Sequence, residues 1–260
     1  MKKVSIGYLV LILFWTSCEN TDQPSEFSNE NTSEEIYYDL MEAYNAQDHE
    51  KLIAFLDSWE QNNPCHPVDK ILDETNRDIY EIFIILFTPF DIGRLGEHEW
   101  GSEMYKGIDY VIVQNKIFYD FAFDAESSER SDSVADFRPP VSFPGKTVLF
   151  LTENYHRALT DFLQNDFNPL GTGGIMNPAS PSEESLKRYQ FLSQELAIIP
   201  GHWGGYWHIE THPYIYTIHF NANITKAKAF FRVGYMFGEA ELQKKDSTWE
   251  LLFSSITMIE

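Results

Sequence analysis

The sequence predicts an α+β domain in which a helical N-terminal half packs on a curved antiparallel C-terminal sheet. Between residues 34 and 200, apolar side chains recur mostly at helical spacing, with short β-rich runs between them. From residue 201 to 260, runs of aromatic and β-branched residues alternate with turn residues, which is typical of an antiparallel meander. We therefore expect residues 34–260 to form a single domain.

Capping residues predict where the helices begin. Thr32–Glu35 has the spacing of a capping box, and Asp48 can cap a second helix, because its side-chain oxygen can accept a backbone N–H. Further helices are predicted over Asp69–Phe87 and Thr152–Asn165. The last is predicted over Ser180–Leu196 and begins with a second capping box.

β-Rich runs predict six strands. Two precede the C-terminal meander, over Ile108–Phe123 and Thr147–Leu151. The other four are Tyr206–His212, Tyr214–Phe220, Lys226–Gln243 and Thr248–Ile259. The third of these is long and contains Gly234 and Gly238, which predict bulges or bends and hence a strongly curved sheet.

Residues 1–17 have the pattern of a signal peptide. Lys2-Lys3 precedes the apolar run Val4–Trp15, and the small residues Thr16-Ser17 follow it. The apolar run is within the roughly 7–15 residues of a signal-peptide core and short of the about 20 that span a bilayer. We expect this segment to be removed after export.

Cys18 follows Thr16-Ser17 directly, and this ending resembles the lipobox of bacterial lipoproteins. The resemblance implies that Cys18 begins the mature protein and carries a diacylglycerol and acyl chains such as palmitate, which anchor it to a membrane. It also implies a location in the bacterial cell envelope, with the outer membrane expected. Residues 18–33 are polar and acidic and are predicted to be a disordered tether. With lipid on Cys18, we expect Cys65 to lack a disulfide partner.

A second resemblance rests on four segments of the chain. They are Glu42–Leu52 and the C-terminal segments Ala227–Tyr235, Gly238–Ala240 and Trp249–Glu260. They are similar to the first helix pair and the last strands of the nuclear transport factor two-like superfamily. The resemblance implies an α+β cone, in which helices pack into a curved sheet around a pocket. Some members are enzymes and many are binding or assembly modules, so the resemblance assigns no catalytic residue.

The charge balance excludes one class of partner. The chain has 40 acidic and 19 basic side chains, for a net charge of −21. Nucleic-acid binding relies on Lys and Arg to neutralise phosphates, so no nucleic-acid partner is expected. The sequence also lacks a Gly-x-Ser-x-Gly elbow, a phosphate-binding loop and the paired histidines of a metalloprotease helix. It therefore carries no catalytic signature.

One histidine-rich segment is a candidate metal site. On the predicted strand Tyr206–His212, the side chains of His208, Glu210 and His212 would share one face, because strand side chains alternate. Two imidazoles and a carboxylate can bind zinc and leave a position open for a catalytic water. The alternative is that these side chains line the sheet and are hydrogen-bonded without metal. His219 lies beyond them in the sequence.

The candidate rim of a ligand site consists of His202, Trp203, Tyr206 and Trp207. Their rings offer flat faces for stacking on a carbohydrate or another small molecule, and loops before strands often carry function. The alternative is that the rings fill the core of an aromatic-rich domain.

Three functions stay open from the sequence. The first is a membrane-anchored extracytoplasmic lipoprotein that binds a ligand or partner. The second is a metal-assisted hydrolase that uses the predicted zinc ligands. The third is a structural component of an envelope complex.

Overall fold

A computed structural model describes residues 31–87, 105, 107–123, 131–164, 182–200, 207–211, 213–233 and 236–259. The helices in this part of the chain are α1 Ser33–Ala46, α2 His49–Asn62, α3 Glu74–Phe87, α4 Glu153–Leu163 and α5 Glu183–Leu192. The strands are β1 Tyr110–Gln114, β2 Ile117–Asp120, β3 Asp132–Val134, β4 Thr147–Leu151, β5 Ile199–Pro200, β6 Trp207–His208, β7 Tyr214–Phe220, β8 Lys226–Val233, β9 Met236–Lys245 and β10 Thr248–Ile259. Helices mostly precede a C-terminal sheet, so the predicted α+β class is confirmed.

The predicted caps begin the first two helices. Thr32 and Glu35 form a reciprocal capping box at α1, and the Asp48 carboxylate accepts the Lys51 N–H at α2. At α5 the prediction was two residues early, because Ser182 is the cap and its hydroxyl accepts the Ser185 N–H.

The third predicted helix began too early. A short 3₁₀ turn covers Val68–Lys70, and α3 starts only at Glu74. The Asp73 carboxylate accepts the Asn76 N–H at 2.7 Å and supplies the cap that this helix needs. Leu72, just before it, is 92% exposed, so no apolar stripe extends the helix toward Asp69.

The meander strands β7 and β10 have the predicted bounds, and so does β4, but the long strand predicted over Lys226–Gln243 is wrong. This segment is the antiparallel pair β8 and β9, and Val233 lies opposite Met236 in their register. The strand predicted over Ile108–Phe123 is also two strands, which belong to different sheets.

The principal sheet has the order β10-β9-β8-β7-β2-β3. Its pairs are antiparallel except for β2 and β7, which run parallel. Separately, β1 pairs in parallel with β4, and β5 pairs with β6. The buried Gln114 side chain links the β1 region to β7, because its amide accepts from the Ile215 N–H at 2.8 Å and donates to the Ile215 carbonyl at 2.9 Å.

Two apolar cores flank the β1–β4 pair. Leu149 and Leu151 point into the core that α1, α2, α4 and α5 build, where Trp59 stacks on Tyr155 at 4.1 Å. Phe150, between them, points into the second core. That second core lies between α3 and the inner face of the principal sheet. The inner face comprises Ile215, Ile218, Phe220, Ala227, Ala229, Phe231, Val233, Ala240, Leu242 and Trp249.

Among the described helices, none is both long enough and apolar enough to span a membrane.

Candidate functional site

The principal sheet has a second face, opposite α3, that combines aromatic and charged side chains. We call it the outer face and define it by Phe118, Asp120, Tyr214, Tyr216, Thr217, His219, Lys228, Phe230, Arg232, Phe237, Glu239 and Glu241. All of these except Asp120 are at least partly exposed, whereas α3 covers the inner face. The outer face is therefore where this sheet can meet a ligand.

An aspartate–histidine pair lies on the outer face where β2 joins β7. The parallel register sets Asp120 opposite His219, and the His219 Nδ1–H donates to the Asp120 carboxylate. Asp120 is 6% exposed, and the same oxygen accepts the Ala122 N–H at 3.0 Å. A buried carboxylate at Nδ1 fixes the ring orientation and the tautomer, which leaves Nε2 to accept a hydrogen bond or bind an electrophile.

Neighbouring groups hold the His219 ring in place. The Phe230 ring meets it edge-on, with centroids 5.1 Å apart. Lys228 lies opposite His219 in the β7–β8 register and forms an ion pair with Glu241 at 3.2 Å. Lys228 and Glu241 therefore neutralise each other, and the row offers hydrogen-bonding groups with a small net charge.

Aromatic rings continue the outer face toward the start of β7. Tyr216 stacks on Phe237 with centroids 5.9 Å apart and ring planes 11° apart, and Tyr214 meets Tyr216 edge-on at 5.2 Å. The Arg232 guanidinium lies 5.3 Å from the Phe237 centroid. Burial, and then the charge of Glu210, raise the pKa of Tyr214 to about 12. The phenol is therefore a hydrogen-bond donor at neutral pH.

Most of the predicted ligand-rim residues are not among the residues that the structure describes. His202, Trp203 and Tyr206 lie outside the described residues, and at Trp207 only the backbone is described, in β6. Cys18 also lies outside the described residues.

The strand predicted over Tyr206–His212 does not continue through the described residues Ile209, Glu210 and Thr211. Glu210 lies in a bend and is half-buried, and Thr211 turns toward β1 instead of joining the principal sheet. The Thr211 N–H donates to the Ile112 carbonyl at 2.6 Å, and its hydroxyl accepts the Ile112 N–H at 3.1 Å. The strand alternation on which the predicted metal site was based therefore does not extend past His208 in the described residues.

Zinc at His208, Glu210 and His212 stays a prediction. His212 and the His208 side chain lie outside the described residues. Among the side chains that the structure does describe, no group of three or more His, Cys, Asp or Glu could hold a metal ion. His219 lies five residues past Tyr214, or roughly 17 Å along β7, and is not one of the predicted ligands. Elemental analysis of the full-length protein beside His208→Ala would decide, because a bound metal should be lost in the variant.

The expectation that Cys65 lacks a disulfide partner differs from the structure, in which Cys65 is half-buried and disulfide-bonded. The sequence contains one other cysteine, Cys18. A sulfur that carries a lipid cannot also form a disulfide. Lipidation of Cys18 and a disulfide between the two cysteines therefore exclude each other, and the mass of the Cys18 peptide distinguishes them.

The helical half offers a second place for a small ligand. A cleft of about 370 Å³ lies between α1 and α5 and is lined by Tyr44, Gln47, Lys187, Gln190, Phe191 and Gln194. Its charged group, Lys187, is already paired with Glu183 at 2.8 Å. The outer face presents the richer set of oriented groups, and we take it as the candidate site.

Sequence reasoning missed Asp120 and the rings of β8 and β9. A usable signal was present, because Asp120 interrupts the apolar run from Ile117 to Phe123, and a carboxylate inside a buried strand needs a partner. That partner is His219, which lies near the other histidines in the sequence. Proximity in sequence does not reveal that β2 pairs with β7.

Comparison with known proteins adds no assignment. No family model matches this chain, and neither a curated protein nor a solved structure is significantly similar to it. The chemistry of the outer face is therefore the basis on which a function can be assigned.

Proposed function

We propose that this chain is a lipid-anchored protein of the bacterial cell envelope that binds a neutral carbohydrate chain on its outer face. The observation that carries the proposal is the combination of the Tyr216–Phe237 ring stack with the oriented His219 imidazole on one open surface. Flat rings provide faces for sugar rings, and the polar groups fix the orientation of hydroxyls.

The charges of the outer face favour a neutral ligand. Lys228 is neutralised by Glu241, and the Asp120 carboxylate is engaged by His219. A polyanion would also meet the net charge of −21 on the whole chain. The other charged groups of the outer face, Arg232 and Glu239, carry one charge of each sign, so a hydroxyl-rich polymer meets donors and acceptors on a surface of low net charge.

The shape of the outer face favours an extended ligand. Sites for isolated small molecules are concave and bury about 70–90% of the ligand surface. An open sheet face cannot enclose a ligand in this way, so affinity has to accumulate over several sugar units along the strands. The distance from His219 to Tyr214, roughly 17 Å along β7, would accommodate a short oligosaccharide.

The anchoring part of the proposal depends on Cys18. Two or more acyl chains give stable membrane attachment. The predicted tether of residues 18–33 is two residues shorter at its end, because Thr32 caps α1 and Ser33 begins it, and the polar residues before that cap would separate the folded domain from the lipid surface. We expect Cys18→Ser to release the protein from membranes, and we expect the native Cys18 peptide to carry the mass of its lipid. A peptide in which Cys18 is joined to Cys65 by a disulfide would overturn this part of the proposal.

Binding can be tested with the full-length protein purified in detergent. We would titrate it with cello-, malto-, xylo- and chito-oligosaccharides and measure the heat of binding. At least one series should bind, and Phe237→Ala should weaken its affinity about tenfold, which corresponds to about 1.4 kcal/mol. Tyr38→Ala is the matched control, because Tyr38 is an aromatic residue on α1 that is 67% exposed.

Two results would contradict the carbohydrate proposal. One is the absence of binding to all four oligosaccharide series. The other is equal loss of affinity in Phe237→Ala and Tyr38→Ala, since the effect would then not be specific to the outer face.

A further inference from the structure

The free edge of the principal sheet has an unusual composition. β10 is the last strand in the order of the sheet, so one side of its backbone has no neighbouring strand among the described elements. Residues 251–259 contain no charged side chain, although the chain as a whole has 40 acidic and 19 basic residues. Four large apolar side chains on this strand are 43–56% exposed: Leu252, Phe253, Ile256 and Met258.

The opposite edge of the same sheet is protected in the ordinary way. β3 has three residues and includes the exposed Asp132, and short length and charge are common devices that prevent edge-to-edge association. β10 has twelve residues. Its two register shifts, at Leu251/Phe253 and Ile256/Met258, leave the regular stretch Phe253–Ile256 between them. Charge and short length therefore protect one edge and not the other.

We propose that β10 is a self-association surface through which two copies of this chain join their principal sheets edge to edge. An edge strand is self-complementary, because its free N–H and C=O groups pair with the same groups of a copy related by a two-fold axis. Two chains with a net charge of −21 repel each other over most of their surfaces. At the neutral strip of β10, two chains can approach without bringing like charges into direct contact.

The direction of the apolar side chains favours another strand over a lipid surface. Phe253 and Met258 lie opposite Glu241 and Phe237 in the register, and so point to the side of the outer face. Ile256 lies opposite Gly238 and points to the inner side. A strand that continues the sheet contacts the apolar side chains on both sides of the β10 edge. A membrane surface would contact the side chains on one side only.

Sedimentation equilibrium of the full-length protein in density-matched detergent tests the proposal. The native protein should dimerise, and Phe253→Lys should raise the dissociation constant at least tenfold. Leu72→Lys is the matched control, because Leu72 is 92% exposed and lies outside the sheet, and it should leave the constant unchanged. A native protein that is monomeric throughout, or a dimer that Phe253→Lys does not weaken, would overturn the proposal.

A second measurement does not depend on how well a lysine is tolerated on the strand. Ser255→Cys should give a disulfide-linked dimer in isolated membranes, whereas Ser133→Cys, on the exposed β3 edge, should not. Equal cross-linking of the two variants would contradict a specific β10 contact. Monomeric protein that binds phosphatidylcholine vesicles through Phe253 would assign the strip to lipid and also overturn the proposal.

Discussion

Gly238 of β9 lies against Phe231 of β8 and Ser255 of β10, and Gly238→Ala should destabilise the domain. A Cβ atom at this position would lie 2.3 Å from Cζ and 2.5 Å from Cε2 of the Phe231 ring, and 2.7 Å from the Ser255 carbonyl oxygen. Phe231 is 1% exposed, so its ring cannot swing into solvent. The methyl group can therefore be accommodated only if the ring and the strand backbone shift.

The magnitude follows from two opposing effects. Overpacking of a core costs about 1–3 kcal/mol, and contact with both a buried ring and a backbone atom puts Gly238→Ala in the upper half of that range. The smaller conformational entropy of unfolded Ala offsets about 0.4–1 kcal/mol. We expect a net loss of about 2 kcal/mol in the free energy of unfolding. This corresponds to a fall of roughly 4–8 °C in the melting temperature of a domain of this size.

Urea unfolding monitored by circular dichroism measures this loss. The slope of the unfolding free energy against urea concentration should not change, because the folded and unfolded states keep their exposed areas. Phe231→Leu removes the two ring atoms that the new methyl group meets, so it provides the matched background. In that background, Gly238→Ala should cost less than half as much. An equal cost in both backgrounds, or no loss in the native background, would refute the steric explanation.

Two further predictions concern buried charged groups. The Asp78 carboxylate accepts hydrogen bonds from Lys244 Nζ at 2.6 Å and from Trp249 Nε1 at 3.0 Å. Asp78→Ala should therefore lower the free energy of unfolding, measured with urea, by about 3 kcal/mol. Asp78→Asn should lower it by less. Burial raises the pKa of Glu195 from its ordinary 4.5, with His49 opposing the shift. The stability that Glu195 contributes is therefore greatest below pH 4.5 and is lost as the pH rises through the raised value. The unfolding free energy of Glu195→Gln should fall less over that range, and parallel pH curves for the two proteins would contradict this.

Local signals predicted the elements whose ends are fixed by short-range chemistry. Thr32 and Asp48 cap their helices as expected, because an N-cap needs only its own side chain and the next turn. β10 was bounded correctly, since the turn residues Asp246 and Ser247, both at positive φ, precede it.

The hairpin of β8 and β9 was missed because the composition stays β-rich on both sides of it. The signal was a change of phase in the alternation. Buried positions are odd-numbered in β8, as at Ala229 and Phe231, and even-numbered in β9, as at Ala240 and Leu242. A single strand cannot change phase without a bulge or turn, so the shift after Val233 separates β8 from β9.

The outer face could not be predicted from local patterns. It depends on the parallel pairing of β2 with β7, which sets Asp120 beside His219 across 99 positions of sequence. Spacing along the chain predicts a site at His208, Glu210 and His212, because spacing relates only residues that are neighbours in sequence. Long-range register is the information that a single sequence lacks.

The most direct test of carbohydrate binding at the outer face is the rate at which diethyl pyrocarbonate modifies His219 in the full-length protein. The rate would be measured by peptide mass spectrometry with and without the oligosaccharide that binds most tightly. His49 is the internal reference, because its side chain is 49% exposed and lies on α2 in the helical half. Bound carbohydrate should slow modification of His219 at least about fivefold and leave His49 unchanged. Equal rates at His219 with and without saturating carbohydrate would contradict the account.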